Sequence, residues 1–245
     1  MIIMPKIKYY YSPSINIVRD LNKDLEYIST PNAKQVYTHI AKNYTTGTHS
    51  FNIVGSYGTG KSSFLLALEH HLNGEKEYFS PLNGSFKGVK GFEFLPIIGE
   101  STSLLNYFAT EFGLKNKDYN TRDILKKIEA NYAEISKSGK GWLIAIDEFG
   151  KFLEYAANNN PEKELYFIQQ LAEFANDDSK NILFVTTLHQ GFNDYAIGLS
   201  KTQRNEWDKI RGRLKEITFT ETVEKLLLLA AERISSRQQE VKKGK

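Results

Sequence analysis

The sequence contains no cysteine. That excludes disulfide cross-links, a thiol nucleophile and any cysteine-ligated metal centre, and it is compatible with a cytoplasmic address. Proline is scarce, with six in 245 residues, three of them before residue 32. The five histidines are scattered, and only His70 and His71 are adjacent. These two are expected to close a helix, where the dipole favours a cation, and not to bind metal. No apolar run is long enough to span a bilayer, and the first residues lack the charged-then-apolar pattern of a secretory leader, so no membrane partner is expected. Neither charge sign dominates: the net charge is +3. Residues 200–245 hold 12 Lys and Arg against 7 Asp and Glu. A basic C-terminal portion is compatible with nucleic acid or an acidic partner, although no aromatic interleaving accompanies it.

Against this plain background one stretch stands out. Residues 51–54 are Phe-Asn-Ile-Val, an apolar strand pattern, and Phe64, Leu65 and Leu68 fall on one face of a helix. Between them Gly55, Ser56, Tyr57, Gly58, Thr59, Gly60, Lys61, Ser62 and Ser63 match the phosphate-binding loop pattern. Glycines let backbone N–H groups turn onto phosphate oxygens, and the following helix points its positive end at the same anion. Lys61 suits the β and γ phosphates, and the Ser62 hydroxyl suits Mg²⁺. ATP and Mg²⁺ are therefore the expected ligands.

A second stretch, residues 142–149, runs Trp-Leu-Ile-Ala-Ile-Asp-Glu-Phe, a buried strand ending in two carboxylates. Taken alone, the two carboxylates read better as an exposed acidic turn. Roughly 90 residues after a phosphate loop, Asp147 reads as the Mg²⁺-side acid and Glu148 as the group that polarises the attacking water. A third apolar strand, residues 182–187, ends in Thr187, whose hydroxyl is suited either to the γ-phosphate and its water or to a backbone partner. His189, just beyond, is read as structural. Arg211 and Arg213 stand ahead of a short last strand, either as catalytic arginines or as solvated charges.

Strands are expected at about 50–54, 92–98, 142–146, 181–187 and 215–219. Pro96 places the second at a sheet edge or breaks it near its end. Helices are expected over 32–44, capped by Asn32, and over 61–72, 101–112 and 121–138. Another starts at Pro161 behind the cap Asn160, and a last one starts at Thr220. Residues 191–210 read as mixed. The fold class is α/β, a three-layer P-loop nucleotide-hydrolase fold with a parallel five-stranded sheet.

Four pieces in this order, GSYGTGKS, WLIAIDE, ILFVTTLHQ and KIRGRLKEITF, resemble the AAA+ and STAND branch of P-loop ATPases over about residues 32–236. The last piece looks like the arginine, strand and lid junction of origin-recognition-type initiator ATPases. The whole pattern is also similar to the ATPase modules of large bacterial phage-defence proteins. The resemblance implies Lys61 and Ser62 on phosphate and Mg²⁺, and Thr187 as a polar sensor. It further implies Arg211 or Arg213 as an arginine offered to a neighbouring subunit, hence a homo-oligomer or larger ATPase assembly. It departs from the family in leaving room for about one helix after the last strand, so the helical lid is expected to be largely absent or truncated. The expected organisation is an arm at 1–31, an ATPase core at 32–220, and the start of a lid with a basic tail at 221–245. The expected function is Mg²⁺-dependent ATP hydrolysis driving conformational change in an assembly or partner. The alternatives are an ATP-binding switch or scaffold with little turnover, and a P-loop kinase.

Overall fold

Five strands pair side by side in one direction, in the order β2-β3-β4-β1-β5. In this computed structural model, which describes residues 15–82, 84–86, 88–114, 119–221 and 231, the chain runs as follows. Helix α1 (Pro31–Tyr44) leads to β1 (Ser50–Val54), then α2 (Lys61–Leu72) and β2 (Phe92–Ile98). Next come α3 (Leu104–Glu111), α4 (Thr121–Lys137), β3 (Gly141–Asp147), α5 (Gly150–Asn158), α6 (Pro161–Ala175) and β4 (Ile182–Leu188). A short 3-10 turn (Phe192–Ala196) precedes α7 (Lys201–Arg213) and β5 (Lys215–Thr218). The expected final helix and basic tail lie outside the described residues, as do residues 1–14 of the expected arm.

The inner strands are apolar on both faces because both faces are covered. Along β3, Trp142, Ile144 and Ile146 face α3 to α7, while Leu143 and Ala145 face α1 and α2. Along β4, Phe184 shares the first face, and Leu183 and Val185 the second. The result is three layers with two cores, one on each side of the sheet. Within residues 15–28, Ile17 and Leu25 are buried in the core on the α1–α2 side. β2 is an edge strand, as Pro96 requires, since a proline has no N–H for a further neighbour. At the centre, buried Asn52 accepts from Thr186 Oγ1 at 2.9 Å, a polar pair between the facing strands β1 and β4.

Three local expectations change. The α1 cap is Thr30, which accepts from Ala33 N, while Asn32 lies inside the helix behind Pro31. The segment expected to be helical from 101 starts at Leu104, because Ser103 caps it by accepting from Asn106 N. Residues 191–210, read as mixed, hold the 3-10 turn and most of α7. Arg211 and Arg213 are therefore the last turn of a helix and not a loop before a strand.

Candidate active site

The parallel register brings the carboxyl ends of β1, β3 and β4 together, and each contributes to one cluster. After β1 the chain turns through Gly58 (φ +76°) and Gly60 (φ +94°) into α2. These are left-handed conformations that favour glycine, and a side-chain carbon at either would meet nothing within 4 Å. The turn is thus an open cradle. Its last residue, Gly60, is the N-cap of α2 and gives that helix no side-chain cap. The first N–H groups of α2 are left for an external anion, which is the fit expected of a phosphate.

Lys61 begins α2 and is buried. Its ammonium donates to the carbonyls of Gly55 (2.5 Å) and Ser56 (2.8 Å), the loop's own backbone. Burial pushes its pKa down, and the negative charges of Asp147 and Glu148 oppose that shift. The acidic pair is thus within electrostatic reach of the loop lysine. Ser62 and Ser63, the next two residues of α2, are half-buried.

Asp147 is buried and ends β3 on the sheet face that carries α2. Its Oδ1 accepts from Thr187 Oγ1 at 2.6 Å. Thr187 is fully buried, and its hydroxyl oxygen in turn accepts the Glu148 N–H at 3.0 Å. Asp147 Oδ1 lies 3.1 Å from that same N–H. Thr187 therefore joins β4 to both carboxylate residues. Among the described residues, Glu148 is the non-glycine residue with positive φ, at +54°. Its side chain turns away from the strand and pairs with Lys151 Nζ at 2.5 Å. The end of β2 closes against this turn. Gly99 N donates to Asp147 O at 2.7 Å, and a side-chain carbon on Gly99 would stand 1.9 Å from Glu148 O.

His189, set aside as structural on sequence, also belongs here. Its ring stacks on the exposed Tyr57 of the loop, with centroids 3.5 Å apart and planes 20° apart. Burial and the Lys61 charge push the imidazole pKa down, while Glu148 and Asp147 oppose that. Lys151 was also missed. The apolar spacing of Phe149, Phe152, Leu153 and Ala156 could have marked α5 and so placed Lys151 one turn beyond Glu148.

Arg211 and Arg213 do not join this cluster. They precede β5, whose Lys215 pairs with Phe51 at the start of β1, so they sit at the opposite end of the sheet. At about 3.3 Å per residue, the five residues from Arg213 to the end of β5 separate the two ends by about 17 Å. There an open cleft of about 540 Å³ is lined by Gly47, Thr48, Asn176, both arginines and Glu216. Arg213 pairs with Glu173 at 2.5 Å and Arg211 more loosely with Asp208 at 3.4 Å. At the far end of α2, Glu69, His70 and Glu75 also approach one another, but the two ring nitrogens of His70 face different carboxylates, each at 3.5 Å. One ligand atom from each of the three lies within 4.8 Å of the others. Among the described residues, no helix is long and apolar enough to cross a membrane.

No protein-family model and no curated protein matches the sequence. Solved structures do match in fold. ORC2 from Aeropyrum pernix, in its ADPNP-ADP complexes, aligns with TM-score 0.51 at 15% identity over 80% of this chain and 50% of its own. The ADP form of the same protein aligns with TM-score 0.51 at 14% identity over 82% and 51%. PCH-2 from C. elegans aligns with TM-score 0.48 at 16% identity over 82% and 46%. The chain thus spans about half the length of the structures it matches. The three-layer α/β architecture with its all-parallel five-stranded sheet is a P-loop nucleotide-hydrolase fold, shared with the ORC2 structures.

Proposed function

We propose that this chain is an ATPase module that binds ATP with Mg²⁺, hydrolyses it, and uses the cycle to change the conformation of an assembly or partner. The observation that carries the reading is the meeting of an open glycine turn and an uncapped helix after β1 with two carboxylates at the end of β3, held by Thr187 of the intervening strand β4. The ATP analogue and ADP in the ORC2 structures are consistent with it. In this reading the backbone of residues 55–62 cradles the phosphates, and Lys61 exchanges its two loop carbonyls for phosphate oxygens. Ser62 and Asp147 would hold Mg²⁺, which supplies charge neutralisation at the phosphates. Glu148 accepts the proton of the attacking water. Thr187 fixes Asp147 and Glu148 and so acts as a positioning residue. An arginine from a second copy completes the site, because this chain's own Arg211 and Arg213 stand at the wrong end of the sheet.

The test is equilibrium nucleotide binding and phosphate release with no acceptor present. Lys61→Ala is expected to lose ATP binding while keeping its thermal midpoint within a few degrees. Glu148→Gln is expected to bind ATP while phosphate release falls by ~10²–10⁴-fold. A Lys61→Ala protein that hydrolyses ATP like the parent would remove the loop assignment. Release that requires an acceptor would make the protein a kinase.

A further inference from the structure

We propose that Lys151 is a partner-exchanging positioning residue: it holds the Glu148 carboxylate while no triphosphate is bound and passes its ammonium to the γ-phosphate when ATP enters, which frees Glu148 to act on water. The inference rests on the ATPase reading and adds to it a residue outside both the loop and the strand ends.

An ion pair three residues apart on a helix surface is commonplace and weak. This one differs in where it stands. Glu148 is not part of α5; its backbone lies in the left-handed region, and its N–H is held by Thr187 Oγ1 and Asp147 Oδ1. The Glu148 backbone is therefore fixed by the strand ends, independently of Lys151. The lysine meets it from the first turn of α5, at 2.5 Å. The surroundings of the ammonium come from several elements. Its pKa is raised first by the bond to Glu148 and further by Tyr57 of the glycine turn and by Glu100 beyond β2. Its charge also acts on His189 beyond β4. Lys151 thus stands in the first turn of α5, just past the end of β3 and against the residue that follows Asp147.

Two physical arguments make the exchange favourable. Lys61 and Lys151 balance Asp147 and Glu148, so the four charges sum to zero before a nucleotide arrives. A triphosphate beside Glu148 adds like-charge repulsion unless a cation stands between them. The Lys151 and Glu148 side chains are 51% and 36% exposed, so their pair is screened and readily opened. A terminal phosphate carries more charge and more acceptor oxygens than one carboxylate, and it competes well for an ammonium on a long flexible stem. Meanwhile a carboxylate held by an ammonium has fewer lone pairs free to meet a water. The exchange therefore makes the base available only when a γ-phosphate is present. ADP, which lacks that group, leaves the pair closed.

The test uses the full chain in the Glu148→Gln background, where ATP persists and the competing carboxylate is gone. ATP and ADP affinities with Mg²⁺ are measured by competition against a fluorescent nucleotide, with and without Lys151→Met, and folding is checked by thermal melting. Lys151→Met is expected to weaken ATP by about tenfold and ADP by less than about twofold, the loss of one charge-assisted contact to the γ-phosphate. Lys151→Arg should restore most of the ATP affinity. Equal losses for both nucleotides, or none, would mean that Lys151 serves only Glu148 or the helix, and the exchange is overturned. If Lys151→Met does not fold, Lys151→Arg and Lys151→Gln carry the same comparison. A Glu148→Gln chain that binds no ATP would instead remove the ATPase reading, and this inference with it.

Discussion

Glu148 and Thr187 show how much a few atoms at the strand ends decide. A Thr187 hydroxyl that donates to one acid and accepts from the backbone of the next cannot be replaced by a methyl of the same size. Thr187→Val is expected to cost about 1–3 kcal/mol in chemical denaturation, and to lower phosphate release more than ATP binding. Thr187→Ser should keep both. Gly99 is bound by space and not by hydrogen bonding alone. With Glu148 O only 1.9 Å from where a side-chain carbon would sit, Gly99→Ala must push one backbone off the other. We expect a loss of at least about 2 kcal/mol and a fall in turnover as Glu148 moves. A Gly99→Ala protein as stable and active as the parent would show that the end of β2 yields freely. At this scale the sequence was legible where chemistry demands residue types at fixed spacing, as in residues 55–62. The need for glycine at 99 was hidden, because it arises from two segments some fifty residues apart closing on each other.

Among the elements, the strands were easy to read and some helices were not, for one reason. A strand covered on both faces is a continuous apolar run whatever its neighbours are. The ends of β1, β2 and β5 were placed to within a residue of their observed positions, and so were those of β3 and β4. Helix α7 buries only Trp207 and Ile210 among thirteen residues, so its sequence carries too little apolar rhythm to announce it. Its start is written in polar groups instead, the Ser200 and Gln203 side chains bonding each other's backbone. Ser103 shows what such a residue holds. It caps α3 and donates to the buried Glu164 of α6 at 2.5 Å. Ser103→Ala removes a cap and strips a donor from a buried carboxylate, and about 1–3 kcal/mol should be lost on thermal or chemical unfolding. His71 reverses an expectation drawn from the helix dipole. Its ring lies edge-on to Tyr37 and Phe79, and burial pushes its pKa below the usual value. Because the charged form is disfavoured in the folded chain, its contribution to stability is complete above the unfolded value near 6.5 and lost as pH falls through the folded one. NMR titration should find this imidazole still neutral at a pH where His in a peptide is half charged; a midpoint at or above the peptide value would restore the dipole argument.

For the whole molecule the sheet sets a direction, with the phosphate cradle at one end and Arg211 and Arg213 at the other. A copy can lend its arginines only to a different copy, in a head-to-tail arrangement. We expect specific activity to rise with protein concentration. Mixing Arg211→Ala/Arg213→Ala chains with Lys61→Ala chains should restore part of the hydrolysis, because the first retains a working loop and the second lends the arginines. A rate independent of concentration, with no rescue on mixing where the chains associate, would leave both arginines as solvated charges beside Glu173 and Asp208. Six of the twelve basic residues after residue 199 lie beyond residue 221, outside the described residues.

The left-handed backbone of Glu148 reaches further than the site. An ordinary side chain in that conformation costs about 1–2 kcal/mol, which glycine would not incur and asparagine would in part avoid. Glu148→Gly and Glu148→Asn are therefore routes to a hardier protein with no base for hydrolysis. A screen that rewards heat tolerance alone would enrich both, and with them the loss of the very activity proposed for the chain. Directed evolution of this module has to select for turnover and endurance together.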